Sequence, residues 1–204
     1  LNFFHILLVL AGIILIQKLS GLFPLNRIVV MSFFQISYSL VVFAILRVSY
    51  TFQINLKGFL SFFIIFTIMI LLGNLLKASQ MRIYKKISLQ EFLTLGIVLP
   101  FSEELIFRGV ILFLVPNSLV NATIFSLVHG VNIFSKIESF SIFNFVYRFI
   151  VGYIFANSVL KTQSLFSAVV CHIINNLVGL LILSRSEHIP KKSTDTAERK
   201  NSEK

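Results

Sequence analysis

The chain has 204 residues, of which 56% are hydrophobic, and a mean hydropathy of +0.90. A soluble domain is usually about 45–50% apolar, so this composition excludes an ordinary soluble fold. The net charge of +10 would suit nucleic acid in a soluble protein. Here the basic residues lie mainly between and after the apolar runs, which is the pattern of positive-inside topology and not of a nucleic-acid surface. A single cysteine, Cys171, excludes an intramolecular disulfide.

Taken in chain order, about seven apolar runs appear, at residues 3–22, 28–46, 58–76, 92–115, 118–135, 140–160 and 164–184. Each is near the ~20 residues a helix needs to cross a bilayer. They predict an all-α, polytopic transmembrane helical bundle of about seven spans, with the lipid bilayer as its partner. The first run lacks a charged n-region and an A-x-A-like site, so it reads as a span and not as a cleavable leader. Short connections make residues 1–184 one transmembrane domain.

Lys77, Arg82, Lys85 and Lys86 follow the third run, and Arg185, Lys191, Lys192, Arg199, Lys200 and Lys204 lie in the tail. Four spans separate the two segments, so both fall on one side, the cytoplasm. Counting back three spans puts the N-terminus outside. Residues 185–204 are polar and charge-mixed, and read as a disordered, basic cytoplasmic tail.

Of the eight acidic residues, only Glu103 and Glu104 lie deep in an apolar run, and Arg108 follows in the same run. A charge at the bilayer centre costs ~2.5–3.5 kcal/mol, whereas each Leu, Ile, Phe or Val returns only ~0.3–0.6 kcal/mol. Such residues face a protein interior or a wet cavity and mark function. Glu104 and Arg108, at i,i+4, share a helix face and can pair. Glu103 is rotated by about 100° and can point elsewhere. Pro100 lies just before them, removes a helix hydrogen bond and crowds the carbonyl of Gly96, so it predicts a kink.

His129 and His172 lie in the fifth and seventh runs. Phe125 with His129, and His172 with Asn176, are i,i+4 pairs. A glutamate, two histidines and an asparagine in mid-membrane supply a general base, a second proton-handling group and hydrogen-bond donors. Hydrolysis of a peptide bond needs a water activated near the scissile carbonyl and donors for its oxyanion. Arg148, in the sixth run, fits no motif, and Phe125 reads as packing.

In order, these residues spell E-E-x-x-x-R (Glu103, Glu104, Arg108), F-x-x-x-H (Phe125, His129) and H-x-x-x-N (His172, Asn176). Phe107-Arg108-Gly109, Gly152-Tyr153 and Ser164-Leu165 supply matching context. This order and spacing resembles the CAAX-protease/bacteriocin-processing family, also called the Abi family, over roughly residues 90–180. The resemblance implies an intramembrane endopeptidase acting on a membrane-associated peptide or protein. Glu103 would be the base that activates water, assisted by His129. His172 and Asn176 would stabilise the oxyanion, and Arg108 would orient the site through Glu104. The resemblance leaves open a glutamate-type or a metallo-type mechanism; in the second, Glu103, His129 and His172 would be zinc ligands with an open fourth position. The metal-free form is favoured, because a carboxylate used as base is then free to act.

Other protease classes do not fit. The only aspartate is Asp195 in the tail, no histidine is followed by glutamate, and G-x-S-x-G is absent. Cys171 and His172 are adjacent on a helix and diverge by about 100°, so they form no dyad. Two further classes remain. One is a bacteriocin self-immunity membrane protein of the same family, with or without proteolysis. The other is a proton or solute carrier, against which stands the lack of an inverted repeat. The Phe-, Ile- and Lys-rich composition points to a bacterial plasma membrane, where a peptide precursor fits better as substrate than a prenylated CAAX protein.

Overall fold

The structure is a computed structural model that describes residues 2–23, 25–75, 88–131 and 141–186. Seven helical stretches follow one another among them. They are Asn2–Leu19, Arg27–Ile45, Phe59–Leu75, an interrupted helix over 89–114, Ser118–Val131, Ile142–Thr162 and Phe166–Ser186. The described residues form no strand beyond an isolated parallel bridge between Thr51 and Ser164. The all-helical expectation therefore holds. The basic loop with Lys77, Arg82, Lys85 and Lys86 lies outside the described residues, as do the end of the fifth run and the tail beyond Ser186.

Among the described residues, three stretches are long and apolar enough to cross a bilayer: Phe3–Leu22, Arg27–Ile45 and Ile142–Thr162. Phe59–Gly73, Ser118–Gly130 and Phe166–Leu181 are apolar but shorter. Large apolar side chains such as Phe3, Leu60 and Ile142 are exposed. Polar groups, by contrast, lie inside, with Ser32, Gln35, Ser39, Ser102, Asn121 and Ser126 all buried. Apolar side chains on the exterior, with polar groups held among a buried apolar core, are the arrangement a lipid solvent favours.

Helix starts follow the local chemistry. Asn26 caps the second helix by accepting from the Ile28 N–H at 3.0 Å. Asn117 does the same for the fifth, accepting from Leu119 and Val120. Ser88 and Glu91 form a reciprocal capping box at the start of the fourth helix. The Glu91 carboxylate also accepts from Asn26 Nδ2 at 2.9 Å, which ties that start to the second helix. At the opposite end, the loop before the third helix is clasped to the sixth and seventh. Ser158 Oγ donates to the Lys57 carbonyl, and Ser164 Oγ to that of Gln53. Gly58 adopts φ +91°, and a Cβ there would meet Ser158 Oγ at 2.7 Å, so glycine is required.

The fourth helix is the axis of the molecule. It packs against the second and the seventh, and Leu105, Ile106, Val110, Ile111 and Leu112 are buried. It is not a uniform α-helix. It opens as α over Leu89–Leu93, widens to π over Thr94–Val98, returns to α over Leu99–Glu104 and widens again over Leu105–Ile111. The disturbance predicted at Pro100 takes the form of the first π turn. The Leu99 N–H reaches back to Thr94 O instead of Leu95 O, which loosens the turn that the proline ring would otherwise crowd.

Neighbouring helices also contact carbonyls of the interrupted helix. Ser39 Oγ on the second helix lies 3.1 Å from the Ser102 carbonyl. Asn121 Nδ2 on the fifth donates to the Phe107 carbonyl at 2.6 Å. Side-chain donors from adjacent helices are the usual remedy for irregular backbone at membrane depth.

Candidate active site

Both glutamates sit on the α turn between the two π segments, and they part as the helix period requires. Glu104 and Arg108 are wholly buried, and Glu104 Oε1 accepts from Arg108 Nη1 at 2.8 Å. The same oxygen lies 2.6 Å from His172 Nδ1 on the seventh helix. With Glu104 as the carboxylate that Arg108 pairs, this contact is made with His172 Nδ1–H as donor. Its Nε2 then faces the other way, 3.5 Å from Glu103 Oε2.

Glu103 Oε2 is also 3.7 Å from His129 Nε2 on the fifth helix. His129 Nε2 is buried without a hydrogen-bond partner among the described residues. One carboxylate oxygen therefore faces two imidazole nitrogens, at separations longer than a direct hydrogen bond and short enough to be bridged. Asn176, one turn beyond His172, turns its amide to the Leu95 carbonyl at 3.2 Å. The structure thus brings Glu103, Glu104, Arg108, His129 and His172 into one cluster, while the Asn176 amide bonds Leu95 and Asn175, one turn beyond His172.

Phe125 organises the apolar side of the cluster. Arg108 Cζ lies 4.1 Å from its ring centroid, a cation–π contact. The His129 and His172 rings meet it edge to face, at centroid distances of 4.5 and 5.9 Å. Phe155 adds a second contact to Arg108 and to His172. Gly152 on the sixth helix allows this approach. A Cβ there would lie 3.2 Å from Phe125 Cδ1 and 3.3 Å from Arg108 Nη2. Phe125 is packing, as expected from the sequence, but it packs the site itself.

Several contributors escaped the sequence reading: Phe155, Asn121, Tyr147, Asn175 and the Leu95 carbonyl. Arg148, unassigned in the sequence, is half-buried on the sixth helix.

Glu103, His129 and His172 are the donors that the metallo-type reading would give a metal. Among the described residues, no group of three His, Cys, Asp or Glu side chains is placed to hold a metal ion.

Residues 85–178 match the family model of Rce1-like proteins, described as type II CAAX prenyl endopeptidase Rce1-like. The CAAX-protease resemblance of the three motifs is thereby shown. The matched segment holds all of Glu103, Glu104, Arg108, His129, His172 and Asn176. It covers a little under half of the chain, from before the fourth helix to within the seventh. No curated protein matches the chain, and no solved structure does.

Proposed function

We propose that this integral membrane protein is an endopeptidase that hydrolyses a peptide bond of a membrane-associated peptide or protein. The observation that carries the reading is Glu103 Oε2 facing His129 Nε2 and His172 Nε2 at 3.7 and 3.5 Å, from three separate helices. The match to a CAAX endopeptidase family supports it.

In this mechanism a water held between Glu103 and His129 loses its proton to the carboxylate and attacks the scissile carbonyl. Glu103 then returns the proton to the leaving amine. His172, with Nδ1–H on Glu104, donates from a protonated Nε2 to the oxyanion, and the Glu104 carboxylate balances the charge of that ring. Asn176 supplies a second donor. Arg108 fixes Glu104, and so acts on the reaction through His172. No step requires a metal, and Glu103 is the base.

All seven helices cross the membrane in this reading, the shorter ones around a site with its own polar interior, and the tail beyond Ser186 is cytoplasmic. Peptide precursors of a bacterial membrane suit the site as substrates. A self-immunity protein of the same family would use the same residues.

The test compares membranes from cells making the wild-type chain with cells making Glu103→Ala or His172→Ala, by profiling newly formed peptide termini. Termini that depend on the wild-type chain and vanish in both variants support proteolysis. An identical profile in all three, with producer immunity retained by both variants, overturns it.

A further inference from the structure

The donor role given above to Asn176 poses a problem of orientation. A carboxamide presents either an N–H or an oxygen, and only the N–H helps an oxyanion. An unrestrained amide can turn over, so something must hold it.

The backbone supplies one restraint. In an α-helix, Leu95 O would accept from the Leu99 N–H, but that N–H donates to Thr94 O through the first π turn. In a π-helix, Leu95 O would accept from residue 100, which is Pro100 and has no N–H. The π turn and the proline together leave the Leu95 carbonyl without its helical partner. Asn176 Nδ2 donates to that carbonyl at 3.2 Å.

A second restraint comes from the side chains. Asn175 Nδ2 donates to Asn176 Oδ1 at 3.2 Å. Asn175 is itself set by the Tyr147 hydroxyl of the sixth helix, which donates to Asn175 Oδ1. The chain of donors runs from Tyr147 to Asn175, to Asn176, to Leu95 O. Turning the Asn176 amide over would set oxygen against the Leu95 carbonyl and nitrogen against the Asn175 nitrogen, and both contacts would be lost.

We propose that Tyr147 and Asn175 are positioning residues that hold the Asn176 amide in one orientation, with Leu95 O as its anchor. One Nδ2–H is then committed to Leu95, and the second is left as the oxyanion donor. Pro100 contributes by withholding the N–H that would otherwise compete for the anchor. This deepens the hydrolase reading and rests on it for the purpose of the amide, though the relay itself does not depend on catalysis.

The experiment uses the full chain in lipid nanodiscs with ¹⁵N-labelled asparagine. The Asn176 side-chain NH₂ resonances are followed in wild type, Tyr147→Phe, Asn175→Leu and the exposed control Tyr153→Phe. The relay expects slow proton exchange at the Asn176 amide in wild type and in Tyr153→Phe. Tyr147→Phe removes a single oxygen, and exchange there rises by about tenfold or more, as loss of a hydrogen bond allows. Asn175→Leu gives a larger rise. Equal exchange in wild type and Tyr147→Phe overturns the proposal, whether or not Asn175→Leu folds. In parallel, cleavage of a quenched-fluorescent peptide spanning one of the termini that depend on the wild-type chain is measured with Glu103→Gln as reference. The relay expects kcat to fall about ten- to a hundredfold in Tyr147→Phe with KM unchanged, the cost of a misplaced catalytic group. A matching rise in KM with kcat intact contradicts a positioning role. Cleavage retained in Glu103→Gln would sink the hydrolase reading instead, and the amide measurement would still decide the relay.

Discussion

His172 Nδ1 lies 2.6 Å from Glu104 Oε1, across 68 positions of sequence, and Arg108 Nη1 lies 2.8 Å from the same oxygen. One buried carboxylate atom therefore joins a cation of its own helix to an imidazole of another. The second oxygen, Glu104 Oε2, and Arg108 Nε and Nη2 are buried without hydrogen-bond partners among the described residues. The pair is thus only partly satisfied and depends on its charge contact.

That dependence predicts a strongly asymmetric response to mutation. Glu104→Gln leaves Arg108 buried without the carboxylate it bonds, which should cost about 3–5 kcal/mol. Adding Arg108→Met should recover much of it, because an apolar pair of similar volume replaces the buried charges. Unfolding of the purified variants in mild detergent measures both. A Glu104→Gln protein as stable as wild type would show that the pair is not buried as described.

Gly152 makes a steric prediction. Gly152→Ala adds a methyl 3.2 Å from Phe125 Cδ1 and 3.4 Å from Ala122 Cα, next to the Arg108 guanidinium. Overpacking of that kind typically costs about 1–3 kcal/mol, and it should also lower activity by moving the Phe125 ring, which His129 meets edge to face. At Gly179 a methyl meets nothing within 4 Å, so Gly179→Ala should be neutral or stabilise the helix by up to about 1 kcal/mol. Paired thermal melts separate the two cases.

Much of this site is legible in the sequence because lipid penalises charge so heavily. Glu103, Glu104 and Arg108 stand out in an apolar run, and i,i+4 spacing suffices to pair Glu104 with Arg108. What escapes is whatever depends on broken helical register. Asn121 answers the Phe107 carbonyl within a π segment, and Asn176 answers Leu95 in another. Regular periodicity predicts neither contact. Pro100 is the one residue that hints at the second, since a missing N–H orphans a carbonyl upstream. Tyr147 and Asn175 carry no such signal, because an isolated tyrosine and an extra asparagine look like ordinary helix residues.

The metal-free mechanism predicts that the purified wild-type chain contains zinc well below one equivalent and keeps its cleavage activity after dialysis against a chelator. Elemental analysis of wild type and His129→Ala checks this directly. One equivalent of zinc in wild type, lost in His129→Ala, would instead make Glu103, His129 and His172 ligands.

Side chains from the fourth, fifth and seventh helices are claimed to act on a single water, with Glu103 taking its proton. The sharpest measurement is kcat of Glu103→Gln against wild type on one cleavable peptide, with a thermal melt of each protein alongside. The account predicts a loss of about 10²–10⁴-fold, the usual worth of a general base, in a protein that melts as wild type does. Turnover within a few-fold of wild type in a folded Glu103→Gln protein would contradict it.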